Sequence, residues 1–198
     1  MGDIKSAFEI AMEKISKIED ATPEERVKWK FFPIGEQLGA KFLKEDSNIL
    51  SELNKYKDPE RKFVMQGAVE VLARSIDLPR NDNIKKVNRK AMDGIKLAKK
   101  DKSGVENIYS KFRYVFNHYN EQGEQQRKQA YEQVKAQFAA KLEQAMQQQY
   151  GTNVRVNPNV NLEQHPQFQE EWRHVLVQLE QQYINHLNEY RKELIEIA

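Results

Sequence analysis

The chain has 198 residues, of which 31% are charged and 39% hydrophobic, with a formal net charge of +2 and no cysteine. The lack of cysteine excludes disulfides, thiolate metal sites and cysteine nucleophiles, and so small a net charge does not by itself indicate a nucleic-acid or membrane partner. Strong helix formers dominate, whereas there are only 8 glycines and 6 prolines, so the composition favours an all-α fold.

The first 20 residues predict one amphipathic helix. Apolar residues at helical spacing place it over about residues 3–19: Ile4, Phe8, Ala11, Met12, Ile15 and Ile18. Charged residues interrupt this stretch, so it lacks the apolar core of a signal peptide. No apolar run in the sequence is long enough to span a bilayer. We therefore expect a cytoplasmic protein that does not insert into membranes.

Two short motifs, each a possible capping residue followed by proline, predict where two of the next helices begin. In Thr22-Pro23-Glu24-Glu25 the threonine can cap the helix, the proline fits the first turn, and the last glutamate can complete a capping box. Pro33 and Gly35 are expected to interrupt that helix. A short helix is expected over about residues 47–56, and Asp58-Pro59-Glu60 predicts the start of the most buried helix of the N-terminal domain.

One apolar stripe and many lysines characterise a helix predicted over about residues 84–102. Its cations form a candidate phosphate-binding face: Lys85, Lys86, Arg89, Lys90, Lys96, Lys99 and Lys100. Phosphate contacts of this kind would weaken steeply with salt. The segment has no interleaved aromatic residues for base stacking and no recognised nucleic-acid motif. A solvated helix face is therefore the favoured interpretation, with nucleic-acid binding as the alternative.

The glutamine distribution divides the chain, because sixteen of its eighteen glutamines lie at or after Gln122. A helix predicted over residues 105–150 carries a broad aromatic face before Gly123 and a narrow apolar stripe after it, and a narrow stripe needs only one partner helix. A final helix from about Phe168 has a matching stripe. The pattern predicts a helical globular domain over residues 1–119 and a coiled-coil-like, antiparallel helical hairpin arm over residues 120–198.

The loop between these two helices is the leading candidate for function. Residues 151–166 form a connection of sixteen residues, where helix pairs typically need about two to eight. Valines alternate around Asn157-Pro158-Asn159, a pattern typical of a small two-stranded ribbon, and exposed valines at such a tip favour contact with a partner. The alternative is that the valines pack on Tyr150 and Phe168 and close the hairpin end. The candidate partner-binding residues are Asn153, Val154, Arg155, Val156, Asn157, Pro158, Asn159, Val160 and Leu162.

Catalytic and metal-binding signatures are absent from the sequence. Glu171 and His174 have the spacing of a di-iron carboxylate element, but such bundles need that element twice and two further glutamates. No glycine-rich phosphate loop and no Gly-x-Ser-x-Gly motif occurs. The segment Trp29-Lys30-Phe31-Phe32-Pro33 could line an enzyme pocket, although local core packing explains it equally well. We therefore expect no cofactor, no metal ion and no enzymatic activity.

A helical arm on a helical body resembles prefoldin-type chaperones in outline, without a shared motif. The leading hypothesis is a non-enzymatic interaction protein, such as an adaptor, scaffold or holdase-like factor, that presents residues 153–162 to a protein partner. The alternative is a nucleic-acid or ribosome-associated factor that binds phosphates through residues 84–102. The stripes that close a hairpin within one chain can also pair between chains, so a homodimer remains open.

Overall fold

A computed structural model describes residues 21–45, 47–150 and 162–197 of the chain. In these residues the polypeptide forms six α-helices, one 3₁₀ turn and no strand, so the predicted all-α class is confirmed for this part of the chain. The helices are α1 (Pro23–Lys44), α2 (Ile49–Leu53), α3 (Glu60–Ser75), α4 (Asp82–Ala98), α5 (Lys102–Tyr150) and α6 (Pro166–Glu196), and the 3₁₀ turn is Leu162–Gln164. The helix predicted over residues 3–19 lies outside the described residues. None of the helices described is long and apolar enough to cross a membrane.

The described residues form two compact units. The first comprises the residues up to Asp77, residues 81–109 and the chain end from Arg191, and the second comprises Leu78–Arg80 and residues 110–190. Helices α5 and α6 contribute residues to both units. The predicted division into a helical globular domain over residues 1–119 and a helical hairpin arm over residues 120–198 stays a prediction.

Helix α1 starts as its sequence predicts. The Thr22 hydroxyl accepts a hydrogen bond from the Glu25 backbone N–H at 3.2 Å, and the Glu25 carboxylate accepts one from the Thr22 N–H at 2.8 Å. These bonds complete the capping box and hold the pKa of Glu25 below its usual value. The predicted interruption at Pro33 and Gly35 is wrong, because α1 continues as one helix to Lys44.

Close packing of α1 on α3 accounts for this continuity. A Cβ atom added at Gly35 would overlap the carbonyl oxygen of Val64, and one added at Gly67 would overlap that of Phe32. At Gly39 the added atom would lie 2.8 Å from the carbonyl oxygen of Ala68. The two backbones therefore touch directly, and this contact favours a continuous α1 although proline inside a helix costs about 3 kcal/mol.

Helices α2 and α3 begin or end a few residues away from the positions that the sequence predicts. Helix α2 covers only Ile49–Leu53, and it begins with a hydrogen bond from the Ser51 backbone N–H to the Asn48 side chain at 3.1 Å. Helix α3 begins at Glu60, with Pro59 at the capping position and no capping hydrogen bond from a side chain. The prediction of a buried α3 is confirmed, since Val64, Ala68, Val69 and Leu72 are 0% exposed.

In the second unit, aromatic rings of α5 meet rings of α6 in antiparallel order. The ring centroids lie 5.6 Å apart for Phe112 and Tyr190, 5.3 Å for Tyr119 and Tyr183, and 5.2 Å for Tyr131 and Trp172. Further along α5, Val134 and Phe138 pack on Phe168 and form a buried group that we call the Phe138 cluster. Two ion pairs flank it, Lys135–Glu163 at 2.8 Å and Lys141–Glu171 at 2.9 Å.

The Gly35→Ala substitution separates helix propensity from packing. Propensity alone would stabilise the variant by about 1 kcal/mol, because alanine is the better helix former. The contact with Val64 predicts the opposite, a loss of about 1–3 kcal/mol or more from overpacking. Chemical denaturation of the wild type and the variant measures the sign. The control is Gln37→Ala, at an exposed position of the same helix, and a stabilised Gly35→Ala protein would contradict the described packing.

Candidate functional site: a buried carboxylate and a ligand groove

The second unit contains a buried carboxylate. Glu180 on α6 is 6% exposed. Its Oε2 accepts hydrogen bonds from the Arg80 guanidinium at 2.8 and 3.1 Å, and its Oε1 accepts one at 3.3 Å. The Tyr119 hydroxyl on α5 donates a further hydrogen bond to the same carboxylate. A buried charge is tolerated only when it is paired and hydrogen-bonded. These two partners meet that requirement.

Two further residues, Leu78 and Arg127, lie next to these partners. Arg80 follows Leu78, which is 0% exposed. Arg127, two turns beyond Tyr119 on α5, stacks on the tyrosine ring with 4.0 Å between its guanidinium carbon and the ring centroid. The same guanidinium donates to the Tyr119 backbone carbonyl at 3.3 Å. Arg80, Glu180, Tyr119 and Arg127 therefore form one polar cluster, which we call the Glu180 cluster.

A groove with a volume of about 490 Å³ lies beside this cluster, within the second unit. Four aromatic or imidazole side chains line it, namely Tyr114, His118, Tyr183 and His186. Three carboxamides also line it, those of Gln126, Gln178 and Gln182, together with the aliphatic Val115 and Leu179. None of these nine side chains carries a formal charge when the histidines are neutral. The groove lining thus offers ring faces and amide hydrogen-bonding groups, and the Arg127 guanidinium lies close to the Tyr183 hydroxyl beside it.

A hydrogen bond between the two helices fixes one wall of the groove. The Tyr183 hydroxyl lies 2.9 Å from His118 Nδ1, and their rings have centroids 5.7 Å apart. Burial raises the pKa of Tyr183. Gly123 leaves the room for this arrangement, because a Cβ atom there would lie 3.1 Å from the Tyr183 hydroxyl and 3.1 Å from a guanidinium nitrogen of Arg127. The one glycine in the long run from 105 to 150 therefore lies under the groove.

Most of the predicted tip residues, Asn153 to Val160, lie outside the described residues. Leu162 is described, and it belongs to the 3₁₀ turn rather than to a strand. It is partly buried against the Phe138 cluster. The His165 ring lies 5.1 Å from that of Phe138. The return of the chain into α6 is thus anchored on α5 between residues 134 and 138.

The predicted phosphate-binding residues occupy different environments. Lys86, Arg89 and Lys100 are exposed. Lys85 pairs with Asp82 at 3.1 Å and Lys96 with Glu106 at 3.0 Å. Lys90 donates to the Glu45 carbonyl at 3.0 Å, and its ammonium lies 5.8 Å from the Phe42 ring centroid. Three of the seven cations therefore lie on an open surface and make no such contact with another described residue.

Lys99 is the exception, because it is buried and only 2% exposed. Its ammonium donates to the carbonyl of Ile195 at 3.0 Å and to that of Ile197, at the end of α6. Burial lowers the pKa of Lys99. The carbonyls at a helix C-terminus need donors, so this lysine has a structural role and is not available to a phosphate. Its neighbour Lys100 is exposed, and sequence pattern alone could not distinguish the two.

The Glu171 and His174 side chains make separate contacts with different residues. Glu171 binds Lys141, whereas His174 lies 3.9 Å from Glu170. Among the described residues no group of three or more histidine or acidic side chains could hold a metal ion. Trp29, considered as a pocket residue, is 49% exposed on α1.

Over residues 50–196 the chain matches the model of a family described as "Family of unknown function (DUF6657)". The match covers well over half of the chain, so the protein belongs to this family. It includes residues of both units, among them the Glu180 cluster and the groove. Comparisons with curated proteins and with solved structures gave no match.

The Glu180 cluster predicts a specific dependence on alkaline pH. Burial and the hydrogen bond to Glu180 raise the pKa of Tyr119 from 10.0 to about 12. Since the raised pKa belongs to the folded state, this contribution to stability is complete below pH 10 and is lost as the pH rises from 10 to 12.

The free energy of unfolding should therefore fall more steeply between pH 10 and 12 in the wild type than in Tyr119→Phe. Chemical denaturation at a series of pH values measures this difference. Tyr114→Phe is the control, because Tyr114 is 71% exposed, and it should follow the wild type. Parallel curves for the wild type and Tyr119→Phe would show that folding does not raise the pKa of Tyr119, and would contradict the described contact with Glu180.

Proposed function

We propose that this protein is a non-enzymatic protein-interaction module, an adaptor, scaffold or holdase-like factor, that presents the segment between α5 and α6 to a protein partner. The observation that carries the proposal is where the chain enters and leaves that segment. On the α6 side, Leu162 and His165 are anchored to the Phe138 cluster. On the α5 side, the helix continues to Tyr150.

The length of this extension supports a presented tip. Phe138 lies twelve residues before the end of α5 at Tyr150, which corresponds to about 18 Å of helix. Among the described residues, the aromatic contact between α5 and α6 nearest the end of α5 is that of Phe138 with Phe168. The segment 151–161 therefore connects a helix end well beyond the cluster with an anchor inside it. A tight turn between two helices would need neither the extension nor so many residues.

The alternative interpretation assigns the apolar tip residues to a plug that closes the helix pair. Leu162 fits this interpretation, because it packs on the Phe138 cluster. We therefore expect partner contacts from Asn153 to Val160 and a structural role for Leu162. The two roles are separable by substitution, since they belong to different residues.

The triple substitution Val154→Ser, Val156→Ser and Val160→Ser tests the proposed function. We expect affinity capture from a host lysate to lose the partner, because apolar contacts at the tip are removed, and the melting temperature to change little. Val177→Ser is the matched control, as Val177 is 55% exposed on α6 at a position outside the tip. A large loss of stability in the triple variant would instead show that the valines close the helix pair, and a partner retained by a stable triple variant would contradict the proposal.

The second candidate function is binding of nucleic-acid phosphates through α4 and the residues after it. The exposure of Lys86, Arg89 and Lys100 favours it, since cations on an open surface can contact phosphates. Lys99 does not take part, because it is buried at the end of α6.

Replacing these three cations by glutamine should weaken binding to RNA and lower the slope of log K against log salt by about 2–3, one unit or slightly less for each phosphate that is no longer neutralised. Fluorescence anisotropy at several salt concentrations measures both quantities. Lys57→Gln, at an exposed loop position, is the control. Wild-type binding that does not weaken between low and moderate salt would rule out this function.

A further inference from the structure

We propose that the groove of the second unit binds a neutral, planar nitrogen heterocycle of the nucleobase class, either as a free nucleoside or as an unstacked base of a single strand. This inference is independent of the proposed tip function, because the groove shares none of the tip residues. It rests on the ring faces, the amide groups and the preorganised wall that line the groove.

The ring faces provide the first argument. On α5 the rings of Tyr114 and His118 have centroids 6.3 Å apart with an angle of 35° between their planes. On α6 the rings of Tyr183 and His186 line the same groove, and His186 stacks on Tyr190 at 6.1 Å and 22°. Tyr114 is 71% exposed, so its face is available to a ligand. Stacking on such rings suits a planar base and tolerates different base identities.

The amides provide the second argument. Gln126, Gln178 and Gln182 each supply both a donor and an acceptor. A carboxamide can bind the edge of a nucleobase with two hydrogen bonds, as glutamine does with the adenine N6 and N7 atoms. Aliphatic ligands could not use these groups. The combination of ring faces and amides therefore selects a heterocycle over a purely apolar molecule.

Charge and size narrow the ligand class further. No Asp, Glu, Lys or Arg lines the groove, so its lining suits a neutral ligand better than a carboxylate or a phosphate. Its volume of about 490 Å³ lies within the range of about 300–1,000 Å³ that is usual for small-molecule sites. A base with its attached sugar is of a size that sites in this range hold.

The groove wall depends on a glycine, Gly123, that lowers the helix propensity of α5. Glycine inside a helix is less favourable than alanine by about 1 kcal/mol, yet Gly123 lies in the middle of α5. It leaves space for the Tyr183 hydroxyl, which binds His118 at 2.9 Å. Tyr183 also packs edge-on against Tyr119 at 5.3 Å, and Tyr119 is held by the Glu180 cluster. The Tyr183 and His118 rings are therefore held in place before a ligand binds, which lowers the entropic penalty of binding.

The histidines of the chain make a direct test possible. There are four, of which His118 and His186 line the groove while His165 and His174 do not. Imidazole proton signals in NMR spectra would be followed during titration with adenosine, with a hexameric oligo(A) and with ribose 5-phosphate. We expect adenosine and oligo(A) to shift the signals of His118 and His186 by ring currents, and ribose 5-phosphate to leave all four unchanged. A higher affinity for oligo(A) than for adenosine would identify a single strand as the source of the base.

Two variants connect the signal changes with the proposed contacts. Tyr114→Ala removes an exposed stacking ring and should weaken adenosine binding about tenfold. Gln182→Leu removes an amide from the groove and should also weaken it, whereas Gln181→Leu, one residue away and outside the groove, should not. Thermal melts confirm that each variant is folded.

Absence of binding by both adenosine and oligo(A) would overturn the proposal. So would equal shifts with ribose 5-phosphate, shifts confined to His165 and His174, or affinities that Tyr114→Ala and Gln182→Leu leave unchanged. If Tyr114→Ala alone fails to fold, the comparison of Gln182→Leu with Gln181→Leu decides the matter. Loss of adenosine binding in a protein that still captures its partner through the tip would separate this site from the proposed interaction function.

Discussion

The buried carboxylate of Glu180 is the constraint on which the second unit depends. A charge that is 6% exposed must find partners, and it finds Arg80 and Tyr119 in two other parts of the sequence. A hydrophobic seam alone tolerates sliding of one helix along the other, since apolar contacts are not directional. A hydrogen-bonded carboxylate does not, because a shift by one turn would leave the charge unpaired. The Glu180 cluster therefore fixes the register of α6 against α5.

That register determines which side chains meet in the groove. Tyr183 lies one turn beyond Glu180 on α6, and His118 immediately precedes Tyr119 on α5. When the carboxylate meets Tyr119, the Tyr183 hydroxyl reaches His118. Gly123 provides the space beneath. Toward the other end of the same helix pair, the Phe138 cluster anchors the return of the chain at Leu162. The groove and the proposed tip thus depend on one alignment of two helices, although they use different residues.

The sequence predicts the all-α class, the capping box at Thr22 and the long α5, because each depends on local pattern. It does not predict α1 correctly, since the contact that favours continuation of α1 past Pro33 comes from Gly67 on another helix. It also misses Glu180, although a signal exists. Leu176, Glu180, Tyr183 and Leu187 follow the alternating spacing of four and three residues that marks a helix seam, and a charge in that pattern indicates a buried partner. The local sequence around Glu180 does not indicate its partner Arg80, which is a hundred residues away. The sequence around Lys99 likewise does not indicate that this lysine is buried. The groove and the smaller set of exposed cations could therefore be identified only from the structure.

A double-mutant cycle between Arg80 and Glu180 tests most directly whether this carboxylate organises the second unit. Arg80→Met, Glu180→Gln and the double variant would be compared with the wild type by chemical denaturation, with the His118 imidazole signal as a local probe of the groove. The account predicts a coupling free energy of about 1–3 kcal/mol and a displaced His118 signal in both single variants. A coupling below about 0.5 kcal/mol, with the His118 signal unchanged, would show that the apolar seam sets the register and that Glu180 follows it.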